Sequence, residues 1–111
     1  MNIIKIPDID SVKKILLEWV TRHPRITRIY LFGSYAAGRI GCPSDIDIAI
    51  EIEDKEGDTA FGYWCSQGSK LQGQLTELLN YQVDLEWYDA EETPTVKKGL
   101  DVGNIVIYEK G

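Results

Sequence analysis

The chain has 111 residues, 43% hydrophobic and 27% charged, with 18 acidic against 12 basic side chains and a formal net charge of -6. This suffices for one core and is too short for a second module, so residues 1–111 are expected to form a single domain. Acidity without a basic face excludes duplex nucleic acid as a natural partner. Two scattered cysteines, Cys42 and Cys65, exclude a zinc or disulfide framework, and no apolar run reaches membrane-spanning length. The opening MNIIKIPDID lacks a basic-then-apolar leader pattern, so the expected location is the cytoplasm.

In chain order, Asp8 or Asp10 with Ser11 caps a first helix, in which Val12, Ile15, Leu16, Trp19 and Val20 recur at helical spacing and which ends before Pro24. His23, the single histidine, reads as a surface-loop residue. Ile26 to Phe32 is β-branched and aromatic, hence a strand, and Gly33 stops it where the backbone must turn. Ser34 is placed to cap a short helical turn, whose unpaired N–H groups can seat phosphate oxygens.

Asp45 to Ile52 alternates strictly, with Ile46, Ile48, Ile50 and Ile52 on one face and Asp45, Asp47, Ala49 and Glu51 on the other. Two carboxylates at i and i+2 of a strand lie roughly 6–7 Å apart at the backbone, so their side chains can converge on one cation or a close pair. Magnesium suits them, being a hard ion held by one or two carboxylates together with substrate phosphates.

After the charged loop Glu53 to Asp58, a helix capped by Asp58 or Thr59 runs to about Leu79. Its buried side is expected to hold Phe61, Trp64, Cys65, Leu71, Leu75, Leu78 and Leu79. Gly62, Gly68 and Gly73 each cost about 1 kcal/mol in a helix interior, which makes a break or kink near SQGS an open alternative. Tyr81 to Tyr88 reads as a third strand with Val83, Leu85 and Trp87 inward and Gln82, Asp84 and Glu86 outward. Thr93-Pro94 starts a short helix with the stripe Val96 and Leu100, and after Gly103 the run Asn104 to Tyr108 is a final strand.

The pattern G-S-x-A-x-G at Gly33, Ser34, Ala36 and Gly38, followed by S-D-x-D at Ser44, Asp45 and Asp47 with ten residues between Ser34 and Asp45, resembles the minimal nucleotidyltransferases of the DNA polymerase β-like superfamily. Either half alone is commonly a plain turn or a solvated strand face; the combination at this spacing favours chemistry. The resemblance implies an α+β fold, a small mixed β-sheet with helices packed on it. It implies transfer of a nucleotidyl group from ATP or another nucleoside triphosphate, with one or two Mg²⁺ ions, or Mn²⁺ in their place, on Asp45, Asp47 and a third carboxylate. Val83-Asp84-Leu85 fits the third position and makes Asp84 the choice, with Glu86 the competitor on the same face. Gly33, Ser34, Gly38, Arg39 and Ser44 are the implied nucleotide contacts, although Arg39 reads equally as an exposed loop-tip residue.

Ala37 departs from the many relatives that carry a basic residue before the second glycine, which weakens the expected triphosphate contacts. With no segment left for an acceptor domain, the acceptor is expected from another molecule. The resemblance implies a HEPN-domain toxin, for which such minimal proteins act as antitoxins by adenylylating the partner. Two alternatives stay open: a binding-only antitoxin, with nucleotide as a structural ligand or absent, and a small-molecule nucleotidyltransferase completed by self-association. Tyr63, Trp64, Tyr81, Trp87 and Tyr88 are candidate interface anchors.

Overall fold

A computed structural model describes residues 6–38 and 45–111. Arg39, Ser44 and Cys42 lie outside these described residues. The elements run α1 (Ile9–Val20), β1 (Ile26–Phe32), α2 (Gly33–Ala36), β2 (Ile46–Ile52), α3 (Ala60–Leu79), β3 (Val83–Trp87), α4 (Pro94–Val102) and β4 (Asn104–Glu109). The strands form a mixed sheet in the order β3-β2-β1-β4, with β1 antiparallel to both β2 and β4 and β2 parallel to β3. This is the α+β architecture the sequence pattern implies.

Strand alternation and helix periodicity meet on one side of the sheet. Ile29 and Leu31 of β1, Ile46, Ile48 and Ile50 of β2, and Val83 and Leu85 of β3 pack against Val12, Leu16 and Trp19 of α1 and Leu71 and Leu75 of α3. Burying each of these aliphatic side chains, Trp19 apart, is worth about 1.5–3 kcal/mol, which gives the fold its main driving force. Asp8 caps α1 by accepting from the Ser11 N–H at 2.7 Å, as the sequence suggests, and such a cap contributes about 1 kcal/mol. Asn80 ends α3 in the left-handed conformation, with φ 51°.

Helix α3 is continuous, and its inward face differs from the expected one. Phe61, Cys65 and Leu78 point to solvent, whereas Ala60, Gly68, Leu71, Leu75 and Leu79 are buried. Gly68 explains the absence of a break. A Cβ there would meet the Trp64 ring at 3.0 Å, so the missing side chain makes room for the indole, and the packing offsets the helix penalty. The same helix blocks the open edge of β3: the Val83 N–H donates to Thr76 Oγ1 and the Leu85 N–H to Gln72 Oε1, which denies another strand those amides.

The second face of the sheet is only partly solvated. Tyr30, Ala49 and Leu100 form a smaller buried cluster, flanked by Phe32, Tyr88 and Val96, so α4 covers part of the face that carries the acidic residues. Trp87 is 7% exposed and belongs to the main core, so it is unavailable as an interface anchor; Tyr63 lies under the Arg25 guanidinium at 4.7 Å. His23 is not a free loop residue: its ring packs on Trp19 with centroids 4.6 Å apart. No helix among the described residues is long and apolar enough to cross a membrane.

Candidate functional site

The acidic residues that α4 leaves uncovered are gathered by strand register. In the parallel β2–β3 ladder Asp47 is the partner of Asp84 and Ala49 of Glu86, while in the antiparallel β1–β2 ladder Phe32 is the partner of Asp47. Asp47 and Asp84 therefore project side by side, and Asp45, two residues earlier on β2's line, joins them from the strand's entry. A cleft of about 230 Å³ opens over them, lined by Phe32, Asp47, Asp84, Glu86, Thr95 and Val96.

The Gly-Ser turn sits directly against this group. Gly33 has φ +75°, and a Cβ built on it would lie 2.1 Å from Asp47 Oδ2. Only glycine provides both the left-handed backbone and the space for that carboxylate. Ser34 lies inside the first turn of α2; the N-cap position is Phe32, which makes no side-chain cap bond, so the serine is not the cap the sequence suggested. The reason is that Gly33 itself enters the helix. Tyr35 anchors the turn, its ring buried in the main core and its hydroxyl donating to the Pro7 carbonyl. Gly38, φ +67°, closes the turn with open space around it.

Electrostatics mark Asp47 as the centre of the cluster. Burial, then the Asp84 charge, then the Asp45 charge push its carboxyl up to about 6, and the Asp84 side chain is close enough to share its proton. Burial and Asp84 also raise Glu86 above the ordinary carboxylate range. Both shifts signal negative charge held together without compensation, a common property of functional sites.

Among the described residues no three carboxylate, imidazole or thiol groups already stand as a set of metal ligands. What is assembled is the Asp47–Asp84 pair with Asp45 and Glu86 beside it. An all-oxygen donor set whose central member resists ionisation fits a hard divalent cation, which would relieve the like-charge crowding. Phe32, Thr95 and Val96 line the site without any signal for it in the sequence, whereas Glu86, the sequence's competitor to Asp84, lies beside it in the cleft. Thr95 and Val96 come from a helix whose sequence shows only a short apolar stripe.

Residues 14–111 match the family model described as Polymerase beta, Nucleotidyltransferase. No curated protein matches the chain. Among solved structures, it is similar to a toxin-antitoxin with AMP-PNP, at TM-score 0.66 and 23% identity over 88% of this chain and 73% of that one. It is similar to the Shewanella oneidensis structure of a tri-AMPylated HEPN toxin in complex with MNT antitoxin, at TM-score 0.60 and 24% identity over 90% and 71%. A further likeness, to the toxin-antitoxin MntA-HepT, has TM-score 0.61 and 20% identity over 91% and 73%. At these identities the structural likeness is one of fold. The family match spans nearly the whole chain and includes both the Gly-Ser turn and the carboxylate strands, and on it this chain belongs to the polymerase beta nucleotidyltransferase family.

Proposed function

We propose that this protein is an antitoxin that transfers AMP from ATP to a hydroxyl side chain of a HEPN-type toxin, in a reaction dependent on Mg²⁺. The observation that carries the reading is the contact of Gly33 with Asp47, which sets a Gly-Ser turn against the Asp47–Asp84 pair. Nucleotidyl transfer needs a seat for the leaving pyrophosphate beside a seat for cations. The toxin-antitoxin structures similar in fold, one with AMP-PNP and one with a tri-AMPylated toxin, support the choice of nucleotide and acceptor.

Asp45 and Asp47 are the residues to hold the cation, with Asp84 as the third ligand. Bound there, Mg²⁺ supplies neutralisation of the charge that develops on the α-phosphoryl and pyrophosphate oxygens. Ser34 and the amides of the turn that begins at Gly33 hold the β- and γ-phosphates, with Gly38 closing the turn; Arg39 and Ser44 are further proposed nucleotide contacts. Asp84, on the β3 side of the cleft, orients the acceptor hydroxyl and takes its proton. Glu86 supports Asp84 from the same strand face, and Thr95 and Val96 border the path by which the acceptor arrives.

The test is to purify the chain with a HEPN-type partner encoded beside it, add ATP and Mg²⁺, and record the partner's intact mass. A gain of AMP units that disappears with Asp45→Asn plus Asp47→Asn, and with Asp84→Ala but not Glu86→Ala, is the expected result. A stable complex that silences the partner without any mass gain, equally well with the mutated site, would refute transfer and establish neutralisation by contact.

A further inference from the structure

The cleft over the carboxylates measures about 230 Å³, below the range of sites that hold a whole small-molecule ligand, so it suits a single side chain. Its polar lining is Asp47, Asp84, Glu86 and Thr95, and its apolar lining is Phe32 and Val96. Thr95 alone among these carries a hydroxyl, the group that attacks in nucleotidyl transfer. The chain therefore places a nucleophile of its own in the cleft that an acceptor from another molecule must enter.

Local structure leaves that hydroxyl free. Two threonines flank Pro94, and they do different things. Thr93, at the N-cap position of α4, accepts from the Asp89 N–H at 2.9 Å and donates to the Asp89 carbonyl at 2.8 Å, so its side chain does not cap the helix. Thr95 is exposed and has no hydrogen-bond partner among the described residues. The first-turn amides of Thr95 and Val96 are consequently left without a side-chain cap, whereas the Lys97 N–H donates to the Thr93 carbonyl. A phosphodiester attached at Thr95 would bring its negative charge to these amides, at the positive end of a nine-residue helix.

A threonine hydroxyl is a weak nucleophile until a base stands beside it. Asp84 lines the same cleft from β3 while Thr95 lines it from α4, and Asp47, the register partner of Asp84, abuts Gly33 of the Gly-Ser turn. Nucleophile, proton acceptor and phosphate seat thus meet at one small opening.

We propose that Thr95 is a site of self-adenylylation, its hydroxyl serving as acceptor when no partner fills the cleft. The proposal rests on the transferase reading above and extends it by a second acceptor, within the chain. Thr95 Oγ attacks the α-phosphorus of ATP. The Oγ–Pα bond forms as the bond from Pα to the bridging oxygen breaks, pyrophosphate departs with that electron pair, and the hydroxyl proton passes to the Asp84 carboxylate. The AMP left on Thr95 fills the cleft, so the modified chain is closed to any other acceptor.

The test incubates the full chain alone with ATP and Mg²⁺, follows its intact mass, and locates the adduct by peptide fragmentation. The expected result is one AMP unit per chain, on Thr95, gained with a rate constant independent of protein concentration, as transfer within one chain requires. The gain should be lost in Thr95→Val and in Asp45→Asn plus Asp47→Asn, and kept in Thr95→Ser, which separates loss of the nucleophile from any disturbance of α4.

A chain that stays unmodified while a HEPN-type partner in a parallel reaction gains AMP overturns self-transfer and leaves the transferase reading standing. An adduct on another residue, an equal gain in Thr95→Val, or a rate constant that rises with protein concentration, the mark of transfer between copies, overturns the assignment as well. Absence of AMP from both chain and partner would refute the transferase reading and this proposal together.

Discussion

Replacing Asp47 with asparagine should stabilise the fold while abolishing function. The carboxyl is held at about 6, against the ordinary 3.8, by burial and by the Asp84 and Asp45 charges. The folded chain thus binds a proton more tightly than the unfolded chain, and at pH 7, where Asp47 is ionised in both states, its charge opposes folding. The full shift corresponds to about 3 kcal/mol at 1.36 kcal/mol per pH unit. Asp47 is only half-buried, and solvent screening reduces this to about 1–1.5 kcal/mol. For a chain of this size that is a rise in Tm of about 5 °C. Going from pH 7 to pH 5 the wild type gains stability as Asp47 takes up its proton, so the advantage of Asp47→Asn should shrink across that window and change little below pH 4. The assay is thermal unfolding by circular dichroism in metal-free buffer at pH 7 and pH 5, taken as the difference between variant and wild type so that other titrating groups cancel. A variant less stable than the wild type at pH 7, or an advantage that persists undiminished at pH 5, would refute the electrostatic account.

Mg²⁺ with ATP should raise the wild-type Tm at pH 7 and leave that of Asp45→Asn plus Asp47→Asn unchanged, since a ligand stabilises only the state that binds it. Gly33→Ala should cost about 2 kcal/mol in urea denaturation and lose nucleotide binding by calorimetry, because φ +75° strains alanine and its Cβ displaces Asp47. Gly73→Ala should do the opposite, gaining about 0.5–1 kcal/mol in the same titration, because the site is mid-helix with nothing within 4 Å of the added methyl. Arg25→Met should lower stability by about 3 kcal/mol. Arg25, 7% exposed, donates to the Glu53 and Asp58 carbonyls and to the Asp58 carboxylate; its loss would leave the Glu53 carbonyl and the Asp58 carboxylate without these bonds, while the Asp58 carbonyl keeps the Lys55 N–H.

Where local chemistry and periodicity agree, the sequence is a sufficient guide. β1 occupies Ile26–Phe32 as its β-branched run indicates, α1 is capped by Asp8, Pro94 opens α4, and the D-x-D strand turns Asp47 toward Asp84 because a period of two leaves no other choice. What the sequence hides is set by contacts remote along the chain. Arg22, Arg25 and Arg28 look alike in one polar stretch, yet only Arg25 is buried, because the loop holding Glu53 and Asp58 folds over it. The inward face of α3 is likewise decided by Trp64 lying across Gly68, which turns Phe61, Cys65 and Leu78 outward despite their hydrophobicity.

The D-x-D strand carries the same lesson to the site. Its alternation assigns Asp45, Asp47, Ala49 and Glu51 to one polar face, but that face is divided. Ala49 is fully buried with Tyr30 and Leu100 under α4, and Glu51 accepts from the Tyr30 hydroxyl and pairs with Arg28. The uncovered part is confined to the end of the sheet where β1 gives way to Gly33 and where Asp47 and Asp84 are paired. A helix that covers half the face thus does two things: it buries enough apolar surface to hold a small sheet together, and it walls the remaining carboxylates with Thr95 and Val96. Excluding water there raises Asp47, so the packing that completes the fold adds to the charge crowding of Asp84 and Asp45, which a bound cation would relieve. On the metal-dependent reading proposed above, stability without ligand and affinity for a cation would therefore be opposed at this one residue. Truncating Leu100 to alanine, which loosens α4 from the sheet, should lower global stability by about 2–3 kcal/mol and bring the Asp47 carboxyl back toward its ordinary range. Both follow from a single NMR and urea titration series. A destabilised variant whose Asp47 still titrates near 6 would show that the neighbouring charges, and not the cover of α4, set the carboxyl.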